Sequence, residues 1–177
     1  MDRTMDVALL SEGSLKIKGK KASLIVDPKT KTPKNTADMI LALQGEIDPS
    51  RVDEYRLVID DDGEYEVGSV KVTGQSKNDY GMFYNLNIDN TQVILARVST
   101  LEKLTDIANE AEVAILNVDS NLNEAIVASL EAKTIVLYGE KVTEGIKALG
   151  KNDLTPAKKL SITKEKLPEE TQIVWLA

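Results

Sequence analysis

The side chains of this sequence that could do chemistry are mainly carboxylates, and the densest group is one short acidic stretch. Four of the five residues in Asp60-Asp61-Asp62-Gly63-Glu64 carry carboxylates. Such oxygens could bind Ca²⁺, but the stretch lacks the alternating ligands and the distant bidentate Glu of an EF-hand loop. We therefore interpret it as a tight turn between strands, with solvated acids and with Gly63 supplying an unusual backbone angle.

A second set of acids could hold a hard cation such as Mg²⁺ or Mn²⁺ without histidine. Its members are Asp27, Glu46, Asp48, Asp53 and Glu54. Asp48 precedes Pro49, however, and the run Asp-Pro-Ser-Arg-Val is typical of the start of a short helical turn. We favour a capping role for Asp48 over a role as a metal ligand.

The composition excludes several classes of mechanism. The 177 residues contain no Cys and no His, which rules out disulfides, thiolate zinc sites, cysteine nucleophiles and Ser-His-Asp triads. The commonest ligand of zinc, copper and iron is missing as well. A net charge of -7 disfavours nonspecific binding to nucleic acids or to anionic membranes. The sequence shows no signal peptide and no apolar run of membrane-spanning length, so we expect a cytoplasmic protein.

The hydrophobic pattern predicts strands in the first half of the chain and alternating strands and helices in the second half. Predicted strands lie at 7–10, 15–17, 22–26, 39–43, 56–59, 65–67, 70–73, 82–88 and 92–98. A helix is predicted to begin with Ser99 as its N-cap and to place Leu101, Leu104, Ile107 and Ala108 on one face. The remaining predictions are strands at 113–118, 134–138 and 172–176 and helices at 123–130 and 142–149, the last closed by Gly150. Because no linker separates the halves, we expect a single domain over residues 1–177.

Three segments, in this order and spacing, resemble the small metallo-β-lactamase-fold hydrolases of the ascorbate-6-phosphate lactonase-like kind. They are residues 13–28, residues 58–74, and the β/α stretch from Leu101 to Tyr138; the turn Gly63-Glu64-Tyr65-Glu66-Val67 is the most specific. The resemblance implies an α/β (α+β) fold, arranged as a four-layer αββα sandwich. It also implies that Gly63, Glu64 and Tyr65 are structural residues of that turn.

The same resemblance locates the metal ligands of the family at positions where this chain lacks them. The His-x-His-x-Asp-His motif would fall within residues 42–49, the metal-bridging aspartate at Arg97-Val98-Ser99, and the last histidine near Gly139. The former metal pocket would then contain Leu43, Gly45, Ile47, Asp48, Val98 and Gly139. We expect this pocket to be apolar and dry, with no metal, no cofactor and no catalytic residue.

The leading hypothesis is therefore a catalytically inactive metallo-β-lactamase-fold protein that acts as a binding or assembly module. One alternative is a hydrolase with an altered, carboxylate-only metal site. Another is a sensor that binds a small acidic molecule in the former pocket through a Lys or through Arg97. We expect a homo-oligomer or a protein partner, and neither a nucleic acid nor a membrane.

Overall fold

Two stacked β-sheets form most of the structure, a computed structural model that describes residues 4–76, 78–103 and 111–177. The first eleven strands are β1 (Thr4–Ser11), β2 (Ser14–Lys18), β3 (Ser23–Val26), β4 (Asn35–Thr36), β5 (Met39–Leu41), β6 (Val52–Asp53), β7 (Leu57–Ile59), β8 (Gly63–Val67), β9 (Val70–Ser76), β10 (Met82–Ile88) and β11 (Thr91–Arg97). They are followed by α1 (Val98–Leu101), β12 (Val113–Asn117), α2 (Glu124–Ser129), β13 (Thr134–Tyr138), α3 (Val142–Ala148), β14 (Lys159–Thr163) and β15 (Gln172–Trp175). Short 3-10 turns occupy Pro49–Arg51, Asn78–Tyr80 and Lys164–Lys166.

The first sheet has the strand order β14-β1-β2-β3-β5-β7. Its strands are antiparallel from β14 to β3 and parallel from β3 to β7. Alternation of side chains places Leu15 and Ile17 of β2 in the core, while Lys18 is exposed. The apolar residues of β2 therefore anchor the sheet, and its lysines keep that segment soluble.

The second sheet has the order β15-β13-β12-β11-β10-β9-β8. Strands β8 to β11 form an antiparallel meander, and β11, β12, β13 and β15 run parallel. The central parallel strands β12 and β13 are buried on both faces, as expected for strands that are covered by helices on one side and by another sheet on the other, whereas the edge strand β15 is only partly buried. Their carboxyl ends lie together at one edge of the molecule.

One large apolar core lies between the two sheets and contains residues of both, among them Leu24, Leu41, Leu95 and Val136. A second core covers the outer face of the second sheet, where side chains of α1 and α3 such as Leu101 and Ile146 pack. The outer face of the first sheet carries a smaller cluster that includes Val52 of the two-stranded β4-β6 sheet. The predicted α/β sandwich of two stacked sheets is thus confirmed. Its helices lie on the outer face of the second sheet, and in the described ranges the β4-β6 pair lies on the outer face of the first sheet, where the αββα arrangement has a helical layer. None of the helices in the described ranges is long and apolar enough to cross a membrane.

The structure corrects two details of the predicted elements and leaves a third untested. Strand β14 was not predicted, although its Ile162 is buried opposite Met5 of β1. Helix α1 begins at Val98, so Ser99 lies inside it and is not its N-cap. The predicted continuation of that helix through Leu104, Ile107 and Ala108 lies outside the described residues.

Candidate functional site

A polar cleft of about 290 Å³ opens between the two sheets at the carboxyl ends of their parallel strands. In sheets with parallel strands this edge is the usual position of a ligand site. The first sheet and its turns contribute Glu12, Gly13, Asp27, Lys29 and Gln44, and the second contributes Arg97, Asn117, Asp119 and Glu140. The cleft is therefore lined by charged and amide side chains.

Three adjacent strands of the second sheet each present one polar side chain at the same level. Arg97 ends β11 and is in register with Asn117 at the end of β12, which is in register with Tyr138 at the end of β13. Each lies two residues after a side chain of the inter-sheet core, so all three point toward the first sheet. The row forms a polar boundary on an otherwise apolar core.

Arg97 is held by Asp119, which follows β12. Its Nη2 lies 2.6 Å from Oδ2 of Asp119, and the two side chains are 24% and 14% exposed. Asp119 also accepts hydrogen bonds from the backbone N–H (3.0 Å) and the hydroxyl of Ser99 in α1. One carboxylate thus fixes both the Arg97 guanidinium and the first turn of α1. Arg97 is the N-cap residue of α1, but its side chain makes no capping hydrogen bond there, so the Asp119 carboxylate takes that role.

Asp27 approaches the cleft from the first sheet and is 5% exposed. Its φ of +48° turns the chain sharply after β3. The N–H of Leu43 donates to its Oδ1 (2.8 Å), which joins the chain after β5 to the end of β3. Burial raises the pKa of Asp27 to about 6, and the bond from Leu43 and the charges of Lys29 and Arg97 oppose that rise. Asp27 can therefore change its charge close to neutral pH.

The Tyr138 side chain is fully buried in the inter-sheet core, beside the cleft-lining Asn117. No group in the described ranges makes a well-formed hydrogen bond to the Tyr138 hydroxyl. Burial raises the pKa of Tyr138, the negative charge of Asp27 raises it further, and the neighbouring Asn117 side chain opposes the rise. Asn117 is therefore the polar side chain that interacts with this buried hydroxyl, although without the geometry of a full hydrogen bond.

Gly139 packs directly against the polar row. Its φ is +110°, and a Cβ built there would lie 2.5 Å from Oδ1 of Asn117 and 3.1 Å from the amide nitrogen of Val118. Side chains rarely adopt that backbone angle. Position 139 therefore has to be glycine while Asn117 keeps its present place.

A second cavity of about 460 Å³ adjoins the cleft and shares Glu12 and Glu140 with it. Its walls come from β1, from the start of α3 and from the residues that follow β15. The apolar side chains of the wall are Leu9, Leu10, Val142 and Leu176, and the polar ones include Ser11, Thr143 and Lys158. We call this cavity the groove.

Solved structures identify the architecture. A protein from Thermotoga maritima, assigned to the Zn-dependent hydrolases of the metallo-β-lactamase superfamily, superposes with a TM-score of 0.69 and 16% identity, over 97% of this chain and 98% of its own. The chain has the metallo-β-lactamase fold. A protein assigned as a metal-dependent hydrolase from Parabacteroides distasonis (TM-score 0.56, 17% identity, 98% and 94% covered) supports this. So does the metallo-β-lactamase-fold protein YhfI from Bacillus subtilis (0.56, 10%, 97% and 96%). No family model and no curated protein matches the sequence.

The metallo-β-lactamase fold implies zinc, but the donor set of this cleft does not fit it. Within the described ranges no three Asp, Glu, His or Cys residues lie close enough together to hold a metal ion. Arg97 brings a positive charge into the cleft and occupies the Asp119 carboxylate. The strained angle at Gly139 excludes a side-chain ligand near the position where the resemblance puts a histidine. The carboxylate-only metal site considered above also finds no support, because Asp27 does not cluster with other acids into a ligand set.

The positions assigned to the former pocket are spread over several environments. Leu43 lies in the inter-sheet core, Val98 in the core beneath the helices, and Ile47 beside the cluster on the outer face of the first sheet. Gly139 lines the groove, and Gly45 is exposed with a φ of +80°.

The capping role predicted for Asp48 is confirmed, because its Oδ1 accepts the N–H of Ser50 (3.1 Å) at the turn begun by Pro49. Residues Asp60 to Asp62 are exposed in the connection between β7 and β8, as predicted for a turn. In the family-like turn, Glu64 is exposed and Tyr65 packs against the inter-sheet core. The hydroxyl of Tyr65 lies 2.9 Å from where a Cβ of Gly63 would be, so this ring occupies the space beside the glycine.

The cleft itself differs from the apolar, dry pocket that we expected. Its polar lining includes Asp27 and Arg97, which the sequence singled out. The other polar residues were not singled out, namely Glu12, Lys29, Gln44, Asn117, Asp119 and Glu140. Arg97 and Asn117 are each the second-to-last residue of a predicted strand (92–98 and 113–118), so the sequence indicated that both lie near the same sheet edge. The pairing of Arg97 with Asp119 was not predictable, because it depends on the three-dimensional path of the chain after β12.

Proposed function

We propose that this chain is a binding module that holds a small polar molecule in the cleft, without hydrolysis at a metal centre. The single observation that carries the proposal is the place of Arg97. A guanidinium paired to Asp119 stands at the end of β11, inside the cleft where the fold would otherwise assemble metal ligands. A cation fixed there repels a metal ion and offers hydrogen-bond donors to a ligand.

Other features of the cleft support binding of a molecule. Asp27, Asn117 and Gln44 supply acceptors and donors on opposite walls. A volume of about 290 Å³, with a further 460 Å³ in the groove, lies within the range of small-molecule sites. The arrangement offers several polar groups, and the composition offers no histidine to activate a nucleophile.

The test compares binding with turnover on the same preparation. Protein purified without chelator is assayed for bound zinc and manganese and for metal-dependent hydrolysis of a phosphodiester and a lactone. The preparation is then screened by thermal shift against neutral, acidic and basic metabolites. We expect no metal-dependent turnover and a raised Tm with one of these classes. Stoichiometric metal together with turnover would overturn the proposal.

A blocking variant locates the binding. A Cβ at Gly13 would have no atom within 4 Å, and Gly13 lines the cleft, so Gly13→Phe adds a bulky side chain at the cleft without a clash at its Cβ. Asn152→Phe, at an exposed position outside both cavities, is the matched control. We expect Gly13→Phe to abolish the ligand-induced shift and Asn152→Phe to keep it. If the ligand still raises the Tm of the Gly13→Phe protein, it binds outside the cleft, which would contradict the proposal.

The assembly role stays a separate prediction. We expect a solution mass that is a multiple of the chain mass, and light scattering coupled to size-exclusion chromatography measures it. Ligand binding in the cleft does not depend on the result.

A further inference from the structure

The wall of the cleft contains no apolar side chain among the described residues. Apart from Gly13, it consists of charged and amide side chains, namely Glu12, Asp27, Lys29, Gln44, Arg97, Asn117, Asp119 and Glu140. Small-molecule sites usually combine a largely apolar wall with a few polar groups. A ligand of this cleft therefore gains little from the hydrophobic effect and has to form hydrogen bonds over most of its surface.

The charges of the cleft disfavour an anionic ligand. Both cations are engaged within the protein, because the Lys29 ammonium donates to the backbone carbonyl of Glu46 and the Arg97 guanidinium pairs with Asp119. The four acids of the wall also outnumber its two cations, so a further negative charge would be repelled. This disfavours the acidic metabolite considered from the sequence alone.

The acids of the cleft do not form a site for a cation either. Within the described ranges no three carboxylates lie close enough together to hold a metal ion. Asp119 is already paired with Arg97. Glu12 and Glu140 are exposed, and an exposed carboxylate attracts a cation only weakly. A neutral molecule is therefore the ligand that these charges favour.

The cleft has polar atoms that no group in the described part of the chain engages. Asp27 is 5% exposed, and among the described residues only its Oδ1 accepts a hydrogen bond, from the N–H of Leu43. Gln44 donates through Nε2 to the carbonyl oxygen of Asp79 (2.9 Å), and within the same ranges its Oε1 accepts none. The ion pair of Arg97 is made by Nη2, and the guanidinium carries further N–H groups. Acceptors on the first sheet thus face donors on the second.

A hydroxyl is the neutral group that suits both walls, because it donates one hydrogen bond and accepts two. Its O–H forms a short, strong bond with a carboxylate such as Asp27, and its oxygen accepts from a guanidinium such as Arg97. Neighbouring hydroxyls on one ring would meet both walls at once. The cleft volume of about 290 Å³ is at the lower end for small-molecule sites, which fits a ligand of the size of a monosaccharide.

We propose that the ligand of the cleft is a neutral polyhydroxylated ring compound of the size of a monosaccharide, whose hydroxyl groups bind Asp27 and Gln44 on the first sheet and Arg97 on the second. This rests on the proposed function, since it specifies the molecule that the cleft binds. It excludes charged ligands and ligands with an extended apolar surface.

Four neutral probes represent this class: myo-inositol, glucose, galactose and mannose. Each is titrated into ¹⁵N-labelled protein at neutral pH, and the backbone amide shifts of Asn117 and Gly139 are followed. Amide shifts replace the Tm here, because sugars at high concentration raise the Tm of proteins without binding. We expect at least one probe to shift these amides in a saturable way. Its Kd should be at least about tenfold lower than that of cyclohexanol, which keeps a six-membered ring but only one hydroxyl.

Two charged probes test whether the site prefers a neutral ligand. We expect glucuronate to bind more weakly than the best neutral probe, because its carboxylate meets the excess of acids in the cleft. We expect cyclohexylamine to bind no more tightly than cyclohexanol, because the exposed acids Glu12 and Glu140 contribute little to the binding of a single cation.

Variants test the contacts. Gln44→Ala removes an exposed amide of the cleft and is expected to raise the Kd of the best neutral probe about threefold to tenfold, as for the loss of one hydrogen bond. Gln75→Ala removes an exposed glutamine of β9 that lines neither cavity, and it is expected to leave the Kd unchanged. Gly13→Phe should abolish the amide shifts, and Asn152→Phe should keep them. Equal Kd values for Gln44→Ala and Gln75→Ala would contradict the contacts on which the proposal rests.

The outcomes distinguish this inference from the proposed function. If cyclohexanol or a charged probe binds in the cleft as tightly as the best neutral polyol, the polyol assignment is wrong while ligand binding in the cleft stands. The same conclusion follows if only an acidic, a basic or a hydroxyl-free neutral metabolite of the thermal-shift screen binds there. If no compound of any class perturbs cleft residues, both proposals are overturned.

Discussion

Nη2 of Arg97 lies 2.6 Å from Oδ2 of Asp119, and this contact joins the end of β11 to the segment after β12. The same carboxylate accepts the N–H of Ser99, so it also holds the first turn of α1. Both side chains are largely shielded from water, with exposed fractions of 24% and 14%. One pair therefore shapes a wall of the cleft and positions a helix.

The pair should contribute measurably to stability. We expect Arg97→Gln to lower the free energy of unfolding by about 2–3 kcal/mol, because it leaves the shielded Asp119 without its counter-ion. A double-mutant cycle with Asp119→Asn, followed by urea unfolding, should give a coupling of about 1–2 kcal/mol. The pair Arg56 and Asp38, with 3.9 Å between Nε and Oδ1 and with Arg56 71% exposed, is the control and should couple by less than about 1 kcal/mol. Equal coupling in the two pairs would contradict the structural role of Arg97.

Gly139→Ala should destabilise the protein by about 1–3 kcal/mol, because its φ of +110° and the nearby Asn117 oxygen both oppose a Cβ. Gly13→Ala is the control, since its Cβ would meet no atom within 4 Å and its φ is not in the left-handed range. We expect the control to change stability by less than about 0.5 kcal/mol. Adding Asn117→Ala to Gly139→Ala should recover only the part of the lost stability that comes from the clash with the Asn117 side chain. The part that comes from the φ of residue 139 should remain. Chemical denaturation of the four proteins decides the matter, and a neutral Gly139→Ala would refute the close packing.

Titration of Asp27 should lower the free energy of unfolding as the pH rises from about 4 to about 6. Burial raises the pKa of Asp27 to about 6 in the folded protein, from 3.8 for an unperturbed aspartate. Between these values the folded state binds the proton that the unfolded state has released, so stability decreases with pH and levels off above about 6. The shift corresponds to about 3 kcal/mol.

Asp27→Asn should remove this dependence, as measured by urea unfolding at several pH values between about 4 and 7. Asp153→Asn, at an exposed position outside the cleft, should retain the wild-type slope. The hydrogen bond from Ser161 lowers the pKa of Asp6, which contributes a dependence of opposite sign, so the difference between variant and wild type is the quantity to compare. Parallel curves for Asp27→Asn and wild type would show that Asp27 does not titrate in this range.

The sequence predicted the strands of the core well because their apolar runs are long and dense. Strand β14 was missed for the opposite reason. Only Leu160 and Ile162 in Lys159–Thr163 are apolar, and the strand is formed by pairing with β1, the other end of the chain. Pairing between such distant residues leaves no local pattern.

The site was predicted less well than the fold. The resemblance located the relevant edge of the sheets, and the absence of histidine was visible in the composition. The polar chemistry of the cleft was not visible, because it depends on Asp27 being buried and on Asp119 reaching Arg97. A charged residue at the end of a strand is usually solvated, and only the fold shows that Arg97 is not.

Tyr84 links the two sheets, and its hydroxyl should be worth about 1–2 kcal/mol of stability. The ring is fully buried in the inter-sheet core, and the hydroxyl of this β10 residue lies 2.7 Å from the carbonyl oxygen of Ala42 and 2.9 Å from that of Ile59. Tyr84→Phe removes the contacts of the hydroxyl with both carbonyl oxygens. The Ile59 oxygen keeps a hydrogen bond, because it also accepts the N–H of Ala42 (3.0 Å). Tyr80→Phe, at a side chain 46% exposed, is the control and should change stability by less than about 0.5 kcal/mol. Urea unfolding with an unchanged m value measures both, and a Tyr84→Phe protein as stable as the control would show that packing alone joins the sheets at this point.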